Sequence, residues 1–136
     1  MRYFLFTLAL TALASSCVTA LGINCRGSAM CNTFNDGDDV AEQLYEKIFT
    51  HFQDDASFDD RQQITCIRGK HNTHGVCAFL QGTNGLSGKD LKTLALRLVD
   101  HGCRGCGSVP VYYDKKENDV ALHGMLTFNF VDKPEK

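Results

Sequence analysis

The sequence predicts an α+β sandwich, an antiparallel sheet with two helices on one face, stapled by disulfides. Three observations predict it. Two segments repeat apolar residues at helical spacing, several short β-prone runs alternate with turn residues, and cysteines recur in pairs along the chain.

The first twenty residues lie outside that fold. Arg2 gives a positive start, residues 4–14 form an apolar run, and Val18-Thr19-Ala20 offers small side chains for cleavage, the pattern of an export signal that is removed. A bilayer-spanning helix needs about twenty apolar residues, more than this run supplies, and no later segment suffices, so no membrane insertion is expected. A second reading takes Ala14-Ser15-Ser16-Cys17 as a bacterial lipid-attachment box, although it carries alanine where leucine is usual. Cleavage after Ala20 leaves 116 of the 136 residues, one domain over 21–136. It also removes Cys17 from the seven cysteines, leaving Cys25, Cys31, Cys66, Cys77, Cys103 and Cys106. Six cysteines in an exported chain read as three disulfides, for which sequence alone permits fifteen connectivities.

Residues 21–25 read as a short edge strand and the Gly/Ser stretch to Cys31 as loop. Val40, Leu44, Ile48 and Phe52 then recur every four residues, widened by Ala41, Tyr45 and Phe49, while Glu42, Glu46 and Lys47 face away. That is an amphipathic helix, preceded by Asp36, Asp38 and Asp39, whose carboxylates suit its N-terminus. Residues 53–60 hold four aspartates and little apolar content, and read as a solvated loop. Residues 64–67 and 76–80 are β-prone and flank a polar tip at 69–75, giving a hairpin. Ser87 and Asp90 imitate a capping box for a second helix with the stripe Leu91, Leu94, Ala95 and Leu98 and a stop at Gly102. Residues 109–113 and 120–131, joined by the charged turn 114–119, complete the reading as two strands.

Composition excludes several functions. The formal charge of −2, or −3 without Arg2, opposes a basic nucleic-acid binder or membrane-surface peptide. Cys103-Arg104-Gly105-Cys106 is a C-x-x-C, but it follows a helix, so it lacks the helix N-terminus that activates a redox thiol. Paired as a zinc site with Cys25 and Cys31 it would need five intervening residues in the second pair, beyond the usual two to four. His71, His74, His101 and His123 show no spacing that joins them to a carboxylate for acid–base work or to a metal. The aspartates at 36, 38 and 39 lack the glycine and glutamate of a calcium loop. The chain therefore reads as a non-enzyme with no cofactor and no metal.

Several segments carry a resemblance. Leu21-Gly22-Ile23-Asn24-Cys25-Arg26-Gly27-Ser28 with Cys31, Ala78-Phe79-Leu80-Gln81-Gly82-Thr83-Asn84, Leu86-Ser87-Gly88, Asp100-His101-Gly102-Cys103-Arg104-Gly105-Cys106-Gly107-Ser108 and Gly124-Met125-Leu126-Thr127-Phe128-Asn129-Phe130-Val131 stand in one order over more than half of the mature chain. In them the sequence resembles the KP-four-type killer toxins, a family that includes a virally encoded toxin of smut fungi with fungal and plant relatives. The resemblance implies the same sandwich and a wiring of Cys25 with Cys103 and Cys31 with Cys106, leaving Cys66 to Cys77. Loop-closure entropy makes the 25–103 closure worth about 4–5 kcal/mol and the hairpin closure about 3 kcal/mol.

The resemblance further implies a secreted, extracellular protein that inhibits growth of other cells by blocking voltage-gated calcium channels, without an enzymatic step. The partner is then a membrane protein of a target cell, and the toxin is expected to be a monomer. Cations on a rigid surface would meet the channel's acidic face, with Arg61, Arg68 and Lys70 as the contacts. A lysine important in the family lies two residues before the cysteine matched by Cys66, and here that position is Ile64. Ile64 and the acidic balance favour an alternative, a secreted host-interaction or binding protein (virulence factor) on the same scaffold without channel block. A third reading, a secreted hydrolase or ribonuclease, would need His71, His74 or His101.

Overall fold

The computed structural model describes residues 22–34, 39–71, 73–115 and 119–135. The export segment, Asp36 and Asp38 lie outside them.

Helix α1 spans Met30–Phe34, beginning at the end of the stretch expected as loop to Cys31, and α2 spans Val40–His51. The Asp39 carboxylate caps α2 by accepting the Glu42 N–H at 3.3 Å, and Phe52 leaves it in extended conformation. Strand β1 (Ser57–Phe58) follows, then β2 (Gln63–Arg68), β3 (Gly75–Gln81) and β4 (Leu86–Ser87). Ser87 opens α3 (Gly88–Asp100): its hydroxyl accepts the Asp90 N–H at 3.1 Å and donates to the Asp90 carboxylate at 2.8 Å. That exchange satisfies one of the helix's orphan donors. Strand β5 (Gly107–Pro110), the single turn α4 (Val120–His123) and β6 (Met125–Val131) complete the described elements.

The main sheet is antiparallel in the order β2-β3-β6-β5. Alternation along its central strands decides the layers. Val76, Ala78 and Leu80 of β3 and Leu126 and Phe128 of β6 point to one face, where Leu44 and Ile48 of α2 and Leu91, Leu94 and Leu98 of α3 meet them. Both helices therefore share one face, and their seam is the core. On the opposite face, Thr127 Oγ1 donates to Gln81 Oε1 at 2.8 Å.

Four local readings are corrected. Residues 53–60 are not all solvated loop, because β1 pairs with β4 and buries Phe58, which packs edge-on against Phe52 with centroids 5.0 Å apart. The strand expected over 109–113 ends at Pro110, which has no N–H to extend the ladder, and the chain turns as Tyr113 N–H donates to Pro110 O. The strand expected over 120–131 begins only at Met125. Asp119 caps the Ala121 N–H at 2.9 Å and starts α4, while Gly124, at φ +78°, ends it. Any side chain at Gly124 would meet the Gln81 carbonyl, so that turn depends on glycine. The edge strand expected at 21–25 is, in its described part, one bridge in which Asn24 and Ser108 exchange backbone hydrogen bonds of 3.0 and 2.8 Å.

Three disulfides join Cys25 to Cys103, Cys31 to Cys106 and Cys66 to Cys77, closing separations of 78, 75 and 11 residues. The first two interleave along the chain, 25 before 31 and 103 before 106. With either one in place, the other closes only a short ring through residues 25–31 and 103–106. Breaking one of them by a paired Cys→Ala change is expected to cost about 3 kcal/mol, whereas breaking both costs about 7 kcal/mol because the long loop is then also released. Denaturant unfolding of the oxidised variants measures this, and a loss above about 4 kcal/mol from one bridge alone contradicts the shared short ring.

Candidate functional site

The cations that the sequence singles out sit on the β2 edge of the sheet, and the sheet's geometry separates them. Arg61 precedes β2 in a turn at φ +63°, its side chain 90% exposed and 3.6 Å from the Asp60 carboxylate. Its N–H donates to Leu80 O, which ties the turn to β3. Arg68 ends β2 and Lys70 follows it in the hairpin tip. At about 3.3 Å per residue, the strand places Arg61 roughly 20 Å from the other two. They do not form one site.

Arg68 belongs instead to a hollow of about 270 Å³ that also involves Lys47, Ile64, Thr65 and Glu135. Its Nη2 donates to the backbone carbonyl of Glu135 at 2.6 Å, so the guanidinium is oriented by a neutral dipole. Lys47 reaches the same place from α2, its Nζ donating to Cys66 O at 2.9 Å. Ile64 lines the same hollow, half-buried against the core, at the bulge between Gln63 and Thr65. The sequence reading placed Lys47 only on the outer face of its helix. No local signal could have joined it to β2, because the packing of α2 across the sheet makes the contact. The Cys66–Cys77 bridge links β2 to β3 directly beside this hollow, at a Cα separation of 4.0 Å.

Two of the four aspartates in the acidic segment beside the hairpin are engaged by their carboxylates. Asp60 accepts the Gly82 N–H at 2.7 Å, and Asp54 accepts from Lys92 Nζ at 2.7 Å. The Lys92 hydrogen bond and charge hold the exposed Asp54 carboxyl below its ordinary value, so that pair persists as pH falls until the lowered pKa is crossed.

The histidines are dispersed. His74 is wedged between Phe34 and Phe130, with centroids at 5.7 and 5.6 Å, and His71 is exposed. His101 caps the end of α3, and His123 stacks on Tyr112 at 4.3 Å. Among the described residues no three of His, Cys, Asp or Glu gather in a metal-binding group. Cys103 and Cys106 face different partners, Cys25 and Cys31, so the C-x-x-C is two structural half-bridges.

This wiring and sheet order can be set beside known proteins. A family model described as Kp4 matches residues 7–132. The chain belongs to the Kp4 family. It is similar to the KP4 killer toxin of Ustilago maydis P4 virus, with 33% identity over 130 residues that span 95% of this chain and 91% of that toxin. The disulfide-stapled α+β architecture and this membership make it a killer-toxin-like protein.

Within this Kp4 fold His74 has a packing role and His71 none. His74→Ala is expected to lose about 1–2 kcal/mol of stability with its ring contacts, while His71→Ala stays within about 0.5 kcal/mol of the parent. Thermal unfolding of the two variants checks the contrast, and equal effects refute it.

Proposed function

We propose that this chain is exported through its first twenty residues and acts outside the cell as a growth inhibitor that blocks calcium channels of a target cell, with no catalytic step. The supporting observation is the pair Lys47 and Arg68, brought from different elements to one hollow, also lined by Ile64, on a strand edge. The partner would be an acidic face of a membrane protein. Cations that are already oriented lose little freedom on binding, so charge complementarity is converted into affinity with small ordering cost. Arg68 and Lys70 are the contacts of this reading together with Lys47, and Arg61 would meet only a partner broad enough to span β2. Ile64 supplies no charge, and the hydrocarbon it adds fits a desolvated centre with cations at its rim.

The second reading, a host-interaction protein on the same scaffold, is favoured by Ile64 and by the net negative charge. Calcium flux separates the two. Purified oxidised protein added to susceptible fungal or plant cells is expected to reduce calcium influx, the Lys47→Gln/Arg68→Gln variant to be weaker by about tenfold or more, and Arg61→Gln to change it less. If the parent leaves influx unchanged while Ile64→Lys creates inhibition, the scaffold without channel block is the correct reading.

A further inference from the structure

A second pair of cations lies at the other end of the molecule, where the long disulfides converge. Arg26 follows Cys25 and Arg104 follows Cys103, so the bridge between those cysteines, with Cα atoms 5.0 Å apart, makes sequence-distant arginines neighbours. Adding one peptide step on each side bounds their own Cα separation at about 13 Å, within reach of two converging arginine side chains. Both line one cleft of about 490 Å³, whose walls include Gly27, Ser28, Cys31 and Cys106.

The cleft is rigidly built. Ser28 N–H donates to Asn129 Oδ1 at 2.9 Å, and Gly27 sits so close to Cys106 and Asn129 that a Cβ there would collide with both. Arg104 is fixed through its backbone, whose carbonyl accepts the Ala41 N–H at 3.0 Å, and through Nε, 3.7 Å from Asp39 Oδ2. Among the described carboxylates none lies within ion-pair distance of Arg26, and Asp39 meets Arg104 at Nε. Both arginines line this cleft with exposed side chains, so guanidinium donors remain open there to an anion, whose oxygens their fork geometry suits.

We propose that this cleft binds an oxyanion, a carboxylate or a phosphate group, between Arg26 and Arg104. The site is separate from the β2 hollow and stands whether or not the channel reading holds. Its existence depends on the Cys25–Cys103 bridge.

The test is an NMR titration of the oxidised, ¹⁵N-labelled protein with inorganic phosphate and, separately, acetate, each at constant ionic strength against chloride. Saturable shifts are expected at the Arg26 and Arg104 Nε–H signals and at the Gly27 amide. Arg26→Gln, which keeps the backbone bond from Arg26 N–H to Asn24 Oδ1, should weaken binding roughly tenfold, and the Arg26→Gln/Arg104→Gln double variant should abolish it. Tighter binding of phosphate marks a phosphate-bearing ligand, and equal or tighter binding of acetate marks a carboxylate. The proposal is overturned if neither anion gives saturable shifts beyond chloride, or if the shifts survive in the double variant.

Discussion

The interleaved bridges Cys25–Cys103 and Cys31–Cys106 hold together what packing alone would not. The segment from Asn24 to Phe34 contributes one backbone bridge to the sheet and one five-residue helix, with Met30 48% exposed. An isolated helix of that length is far below what is stable in water, and its burial offers little in return. The sulfurs supply the difference. Cys31, Cys103 and Cys106 are themselves core residues, so the covalent link and the packing are made by the same side chains. Because the bridges land at the end of α3 and the start of β5, they fix the sheet edge to the helix layer and anchor the chain's beginning against both.

The remainder of the sandwich is ordinary helix-on-sheet physics. Two amphipathic helices bury one stripe each against one face of a sheet, and the sheet's alternation sorts every second residue to that face. The third bridge contributes differently. Cys66–Cys77 spans neighbouring strands in register and closes only a short hairpin, so it stiffens one edge and leaves the chain's long-range closure to the other two. That edge is where Lys47, Ile64 and Arg68 meet.

Helices α2 and α3 were legible because each announces itself twice, by an apolar stripe and by a capping side chain, and both signals are local. The β2–β3 hairpin was legible for a similar reason. Short elements were not. Phe58 lies among aspartates and is buried only because Leu86, distant in sequence, pairs with it. Val120 and Leu122 look β-prone, yet Asp119 and Gly124 confine them to one helical turn. The disulfide wiring was unreadable from six cysteines by themselves and came from the family resemblance. The cation sites followed the same division: the family resemblance points to Arg61, with Arg68 and Lys70 just beyond it on the hairpin, and an extended strand separates Arg61 from the other two. Lys47 joins Arg68, and Arg26 joins Arg104, through contacts that no window of sequence contains.

These placements matter because the protein's charge is spread against its own cations. With sixteen acidic and fourteen basic side chains, the whole molecule does not attract an acidic partner from a distance. At physiological ionic strength the screening length is about 8 Å, so any attraction has to arise from cations brought almost into contact. An acidic surface is then recognised only where two positive groups are already held side by side. The fold brings two cations to one concavity twice, once by laying a helix across a strand edge and once by cross-linking the residues that precede two arginines. In this scaffold, recognition is therefore decided by which sequence-distant cations the sheet and the disulfides juxtapose, and a change in total charge that leaves those pairs intact should alter it little.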